Sequence, residues 1–203
     1  MMKHPTPFCY HAPSDQDQTA ERIPVNTFPW LCHYRPQTFA SLRLRDDRLV
    51  ISMTTDEWPL RAVVTSPNGP VYTDSCMEFF LMPAPRLSRA YVNFEINPWG
   101  VPLIEIGDQR ENRKRLIIPE YRSLLSLSSR IDRDGWTLAY QIPLSFLKGL
   151  VGDFDLERGD EMRANFYKCG DSTEHPHYGC WATIDRPTPN FHVPESFGTL
   201  VID

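Results

Sequence analysis

The chain has 203 residues, a formal net charge of −5, 41% hydrophobic and 23% charged residues. These values fit one globular domain and exclude an intrinsically disordered chain. They also lack the basic footprint that nucleic-acid binding needs; the densest basic run, Arg110, Arg113, Lys114 and Arg115, is interrupted by Glu111 and reads as a solvated loop. No stretch approaches the roughly 20 apolar residues of a membrane span, so neither nucleic acid nor membrane is an expected partner. The N-terminal stretch has no apolar signal-peptide region. The five cysteines are odd in number and form no CxxC. Together these point to reduced thiols and a cytoplasmic location.

Residues 1–36 are polar and proline-rich and read as an arm packing along a domain that spans 37–203. From Thr38 the pattern changes. TFASLRLRDDRLVISMTTDE sets two alternating runs around Asp46-Asp47, a hairpin signal. Residues 59–73 form a loop punctuated by Pro59, Pro67, Gly69 and Pro70. SCMEFFLMP and AYVNFEINP are two short strands, and the NPWG turn leads into a returning strand, VPLIEIG. Residues 108–121 form a charged connection. SLLSLSSRID and WTLAYQIP make a second hairpin about Asp134-Gly135. PLSFLKGL, with Pro143 at its start, is the one short helix. EMRANFYKC, an irregular loop over 170–194, and a final strand in SFGTLVID complete the chain. Many short strands, 19 prolines and almost no helix predict an all-β fold, a two-sheet antiparallel β-sandwich of immunoglobulin or jelly-roll type.

Side chains alternate across a strand, so each strand has two faces. Val92, Phe94 and Ile96 share one, while Tyr91, Asn93, Glu95 and Asn97 share the other. Met77, Phe79 and Leu81 oppose Cys76, Glu78 and Phe80. Met162, Ala164 and Phe166 oppose Arg163, Asn165 and Tyr167. The apolar faces form the core. The other faces carry short or planar hydrogen-bonding groups, with Lys168 the one flexible solubilising residue nearby. Such a surface suits a sugar, whose hydroxyls are donors and acceptors and whose C–H faces pack on aromatic rings.

These residues resemble the family 9 carbohydrate-binding modules, from about Tyr72 to the C-terminus, through YTDSCMEFFL, YVNFEINPWG, DGWTLAYQIPLSFL, RANFYKCG and HYGCWATIDRPTPNFHVPESFGTLVI. The closing block, a Trp followed by F-H-x-P-E-x-F-G-x-L, is the most specific. The resemblance implies a β-sandwich gripping a terminal sugar unit between two aromatic rings. Trp181 matches the Trp of the last loop. Tyr72, six residues before Glu78, stands where the family places its other aromatic platform, and Glu78 matches its acidic residue. Asn93 and Glu95 fall on the strand where the family has its Arg and Asn ligands. Arg163, Asn165 and Tyr167 join the ligand-binding set from the facing pattern.

The expected function is therefore non-catalytic binding of a small saccharide or glycan end, associated with carbohydrate catabolism. Two alternatives stay open: a small glycoside-processing enzyme using Glu78 and Glu95 as an acid/base pair, and a haem-binding sandwich module ligating through Met and His. No cofactor is expected, with a structural calcium at Asp74 as the alternative. His175, His177 and His192 are weaker metal-ligand candidates. A Cys169–Cys180 disulfide bracketing the 170–180 loop is a further alternative, and His192 is read as bonding the terminal loop.

Overall fold

The computed structural model describes residues 8–14 and 21–203. Its strands are β1 (Cys9–Ala12), β2 (Ile23–Pro24), β3 (Thr38–Arg45), β4 (Arg48–Thr55), β5 (Cys76–Met82), β6 (Tyr91–Ile96) and β7 (Pro102–Gly107). They continue with β8 (Lys114–Arg115), β9 (Ser128–Asp132), β10 (Gly135–Pro143), β11 (Glu161–Cys169), β12 (Tyr178–Cys180) and β13 (Gly198–Ile202). A helical turn, α1 (Tyr121–Leu124), and a two-turn helix, α2 (Leu144–Val151), are the α-helical elements. One sheet runs β1-β13-β11-β5-β6-β7-β8, with β12 also paired to β11; the other runs β2-β3-β4-β10-β9. Pairing is antiparallel except between β1 and β13. This is the two-sheet sandwich that the alternation predicts.

The smaller sheet shows the period-2 rule in its plain form. Ala40, Leu42, Leu49, Ile51, Met53, Leu138, Tyr140 and Ile142 point inward and are buried, while their neighbours meet solvent. Asp46 and Asp47 both have positive φ (47° and 55°), as a two-residue primed hairpin turn demands. Gly135 turns at φ 126°, where a Cβ would lie 1.9 Å from Thr55 O. The front of SLLSLSSRID is not strand: α1 and the turn after it carry Leu125 and Leu127 into the core before β9 begins. The leucines there serve one buried patch, not an alternating face.

The larger sheet differs, because its central strands β5, β6 and β11 are buried on both faces. Met77, Phe79, Leu81, Val92, Phe94, Ile96, Met162, Ala164 and Phe166 fill the space between the sheets. The opposite face is covered by a second apolar layer, in which Trp30, Val71, Phe191, Val193 and Phe197 meet Phe80, Tyr91 and Tyr167. Residues of the N-terminal arm supply a strand to each sheet, β1 against β13 and β2 against β3, and Trp30 to the outer layer. The arm residues 1–7 and 15–20 lie outside the described residues.

Lys168 is not a solubilising residue. Its stem enters the interior, where Nζ meets Glu57 Oε2 at 2.7 Å and donates to Cys76 O (3.2 Å) and Cys169 O (2.8 Å), with His177 Nε2 at 3.0 Å. Ser75 Oγ donates to the other Glu57 oxygen (2.8 Å). A buried charge persists only when paired and hydrogen-bonded in this way.

Candidate functional site

Among the described residues, the outer layer leaves an opening over β5, β6 and β7. It is a pocket of about 190 Å³ lined by Glu78, Glu95, Glu105, Arg113, Tyr72, Tyr178, Phe191 and His192, with Arg110, Arg115, Asp171 and Asn190 also at its margin. Its floor follows from register. Glu78 stands directly opposite Glu95, and Asn93 opposite Glu105, so three adjacent strands place carboxylates side by side. All three are nearly inaccessible to solvent at 3%, 3% and 8%.

Each carboxylate has a different partner. Glu105 accepts from Arg113 Nη1 and, at 3.4 Å, from Arg115 Nε. Glu95 accepts from Asn93 Nδ2 at 3.0 Å and has Arg113 Nη1 4.0 Å away. Glu78 accepts from the Cys169 thiol at 2.9 Å. Burial pushes the Glu78 carboxyl up to about 7, and the nearby Asp171 adds to the rise. Burial and the adjacent Glu78 also hold Glu95 well above the usual carboxylate range. Two like charges on neighbouring strands resist joint ionisation.

The walls are aromatic. Tyr72 is 41% exposed and is the middle residue of a one-turn 3₁₀ segment, Val71–Thr73, in which the Tyr72 and Thr73 carbonyls accept from the backbone amides of Asp171 and Ser172 at 3.1 Å each. Facing elements bring Tyr178 from β12 and Phe191 and His192 from the closing loop. Phe191 is held flat against Tyr167 (centroids 4.2 Å, 8°), and Tyr167 Oη donates to Phe191 O at 3.0 Å. His192 Nδ1 pairs with Tyr91 Oη at 3.0 Å, not with the terminal loop. Burial, with Arg113 and Arg110 nearby, lowers the His192 pKa to about 3, so its ring is neutral in the fold.

The structure thus brings together Tyr72, Glu78 and Glu95, with Asn93 behind Glu95 and Tyr167 behind Phe191. It separates the others. Arg163 donates to Phe197 O and Gly198 O, beside β13. Asn165 clamps Ala182, donating to its carbonyl (2.8 Å) and accepting from its amide (2.9 Å). Trp181 is 6% exposed and packs on Phe8 and Phe166 within the inter-sheet core, so it does not face Tyr72 across the pocket. The physical reason is that its amide donates to Phe166 O (3.0 Å), turning the indole inward as the chain leaves β12.

Glu105, Arg113 and Arg115 on the floor, and Tyr178 and Phe191 on the walls, are residues that sequence reasoning missed. Arg113 and Arg115 belong to the run read as solvated, yet Arg113 retains only 15% side-chain exposure. The alternation of Glu105 with Ile104 and Ile106 on VPLIEIG was the available signal.

The metal readings fare differently. Asp74 Oδ1 accepts from Arg61 Nη1, and Oδ2 from the amides of Val63 and Val64 and from Asn97 Nδ2. A carboxylate surrounded by nitrogen donors does not fit a calcium ion. His175, His177 and His192 do not converge: His177 bonds Lys168 and His175 O, whereas His192 bonds Tyr91. Cys169 faces Glu78, while Cys180 donates to Thr27 O, and both are free thiols.

A sandwich with an aromatic-walled, hydrogen-bonding pocket over the covered central strands of one sheet defines a small-ligand-binding module. The chain belongs to Carbohydrate-binding family 9, whose profile matches residues 15–202. In fold it is similar to a candidate carbohydrate-binding protein from Bacteroides uniformis ATCC 8492, with TM-score 0.84, 26% identity, and coverage of 97% of this chain and 99% of that one. It is also similar to a family 9 carbohydrate binding module from Caldicellulosiruptor kristjanssonii in complex with cellotriose, with TM-score 0.62, 13% identity, and coverage of 96% and 93%. The glucose complex of that module gives the same TM-score and identity, with coverage of 96% and 95%. No curated protein matches the chain.

Proposed function

We propose that this protein binds a small saccharide without catalysis, in the pocket over β5–β7. The observation that carries the reading is the floor of Glu78, Glu95 and Glu105–Arg113 beneath the rings of Tyr72, Tyr178 and Phe191. Carboxylates, an amide and a guanidinium match sugar hydroxyls, and the rings match a C–H face. The roughly 300–1,000 Å³ typical of pockets for drug-sized ligands is larger than this one, which favours one sugar ring over a chain. Membership of the carbohydrate-binding family and the saccharides bound by the Caldicellulosiruptor module support the same reading.

Non-catalytic binding is the reading that family membership supports, whereas the acid/base alternative has only the side-by-side placement of Glu78 and Glu95 behind it. Haem binding is disfavoured too, since no methionine is among the residues lining the pocket at which His192 stands.

Titration calorimetry with a panel of hexoses, pentoses and their disaccharides tests the reading. Saccharide binding is expected, weakened at least tenfold in Tyr72→Ala and in Arg113→Ala and unchanged in Trp181→Phe. A folded protein that gives no heat with any saccharide overturns it, as does release of the aglycone from an aryl glycoside that Glu78→Gln abolishes.

A further inference from the structure

We propose that the pocket selects an amino sugar, with the free ammonium group seated between Glu78 and Glu95. The proposal rests on the sugar-binding reading and deepens it. Its basis is a count of donors and acceptors on the floor. Glu105 is matched by Arg113 and Arg115. Glu78 has one donor, a weak thiol, and Glu95 has one amide N–H, with Arg113 Nη1 4.0 Å away and already engaged by Glu105. Behind Glu95, Asn93 Oδ1 is fully buried on the same sheet face with no partner among the described residues. What remains unmatched is therefore acceptor capacity.

A hydroxyl brings one donor but two more acceptor lone pairs, whereas an ammonium brings three donors and no acceptor. Charge points the same way. Three carboxylates and one enclosed guanidinium make the floor, and Arg115, at 62% side-chain exposure, spends its charge on Glu105 at the rim. An ammonium cation would convert two mutually repelling carboxylates into a paired set.

The groups facing this pair come from every surrounding element. β11 contributes the Cys169 thiol and Tyr167, which stands directly opposite Glu78, with Lys168 beyond held by Glu57; β5 itself adds the Cys76 thiol. The following loop contributes Asp171, β6 Tyr91 and β7 Glu105. The β7–β8 connection contributes Arg110 and Arg113, and the closing loop a neutral His192. With Glu78 raised to about 7, the empty pair carries a proton in mildly acid solution. Seating an ammonium requires both carboxylates ionised, so that proton leaves to solvent. Amine affinity consequently rises as pH climbs from 5.5 to 7.5, and a neutral sugar does not share this rise.

The test is calorimetry with the methyl glycosides of glucosamine, glucose and N-acetylglucosamine, at pH 5.5 and 7.5 and in two buffers of different ionisation enthalpy. The expected result at pH 7.5 is at least tenfold tighter binding of the glucosaminide than of either neutral glycoside. The preference should shrink at pH 5.5 and in the isosteric Glu78→Gln/Glu95→Gln variant, and at pH 5.5, where the amine is already fully protonated, the buffers should report proton release. Neutral glycosides binding as tightly as the glucosaminide at pH 7.5 would overturn the amine proposal while keeping the sugar site. Failure of all three, and of the wider saccharide panel, would overturn the sugar-binding reading itself.

Discussion

Single residues show where side-chain chemistry can be read from sequence and where it depends on depth. Lys168 looks like a solvated lysine because lysine almost always is. In the fold it occupies the inward parity of β11 with Ala164 and Phe166, and Glu57, more than a hundred positions earlier, makes that tenable. Removing one member of a buried pair costs about 3–5 kcal/mol, since the other charge is left unpaired. Lys168→Ala is accordingly expected to lower the unfolding free energy by about that amount in urea titration, and Lys168→Met/Glu57→Gln to recover most of it. Trp181 carries a related lesson. It anchors the most specific block of the sequence, but that specificity records packing. Residues that match a family pattern can do so because the core demands them.

Among the elements, β3, β4, β10 and the Asp46-Asp47 turn are legible, because one face of each strand is wet and the alternation is plain, whereas the second turn falls at Arg133-Asp134, one residue before the expected Asp134-Gly135. β5, β6 and β11 are legible as strands, but not in what covers them. Their polar-looking faces are sealed by residues far away in sequence, and only register tells Glu78 and Glu95 from Arg163 and Asn165. β8 escaped notice because two charged residues on an edge carry no hydrophobic signal. The first residue of β13 must be glycine for a steric reason: a Cβ at Gly198 would lie 2.6 Å from Cη2 and Cζ3 of Trp181 and 3.0 Å from Phe8 O. Gly198→Ala is expected to destabilise the fold by about 1–3 kcal/mol, the usual range for overpacking, read as a lower midpoint in chemical denaturation with sugar affinity retained.

Over the whole molecule, four buried groups set opposing pH dependences. Burial lowers His177 and His192 from 6.5 to about 3, the former aided by Lys168. Their contribution to stability is present above pH 6.5 and is lost as pH falls toward 3, because the unfolded chain takes up the protons. Glu78 is raised from 4.5 to about 7 and Glu95 shifts the same way. Their contribution is present below pH 4.5 and is lost as pH rises through 7. Between pH 4.5 and 6.5 the two pairs counteract each other. Stability is expected to decline from pH 6.5 to 8, and this slope should flatten in Glu78→Gln/Glu95→Gln. A slope equal to wild type in that variant, measured by urea unfolding at each pH, would place its origin elsewhere.

The parallel pairing of β1 with β13 has a consequence for presentation. Asp203 exchanges backbone hydrogen bonds with Ala12 and Ser14 at that margin of the larger sheet, whereas the pocket opens over the strands on the other side. From β13 to β6 is three strand steps, roughly 14 Å at the usual interstrand spacing. A tether at the last residue, whether a bead, a chip surface or a fused enzyme, would therefore leave from one flank and hold the mouth of the pocket clear on the other.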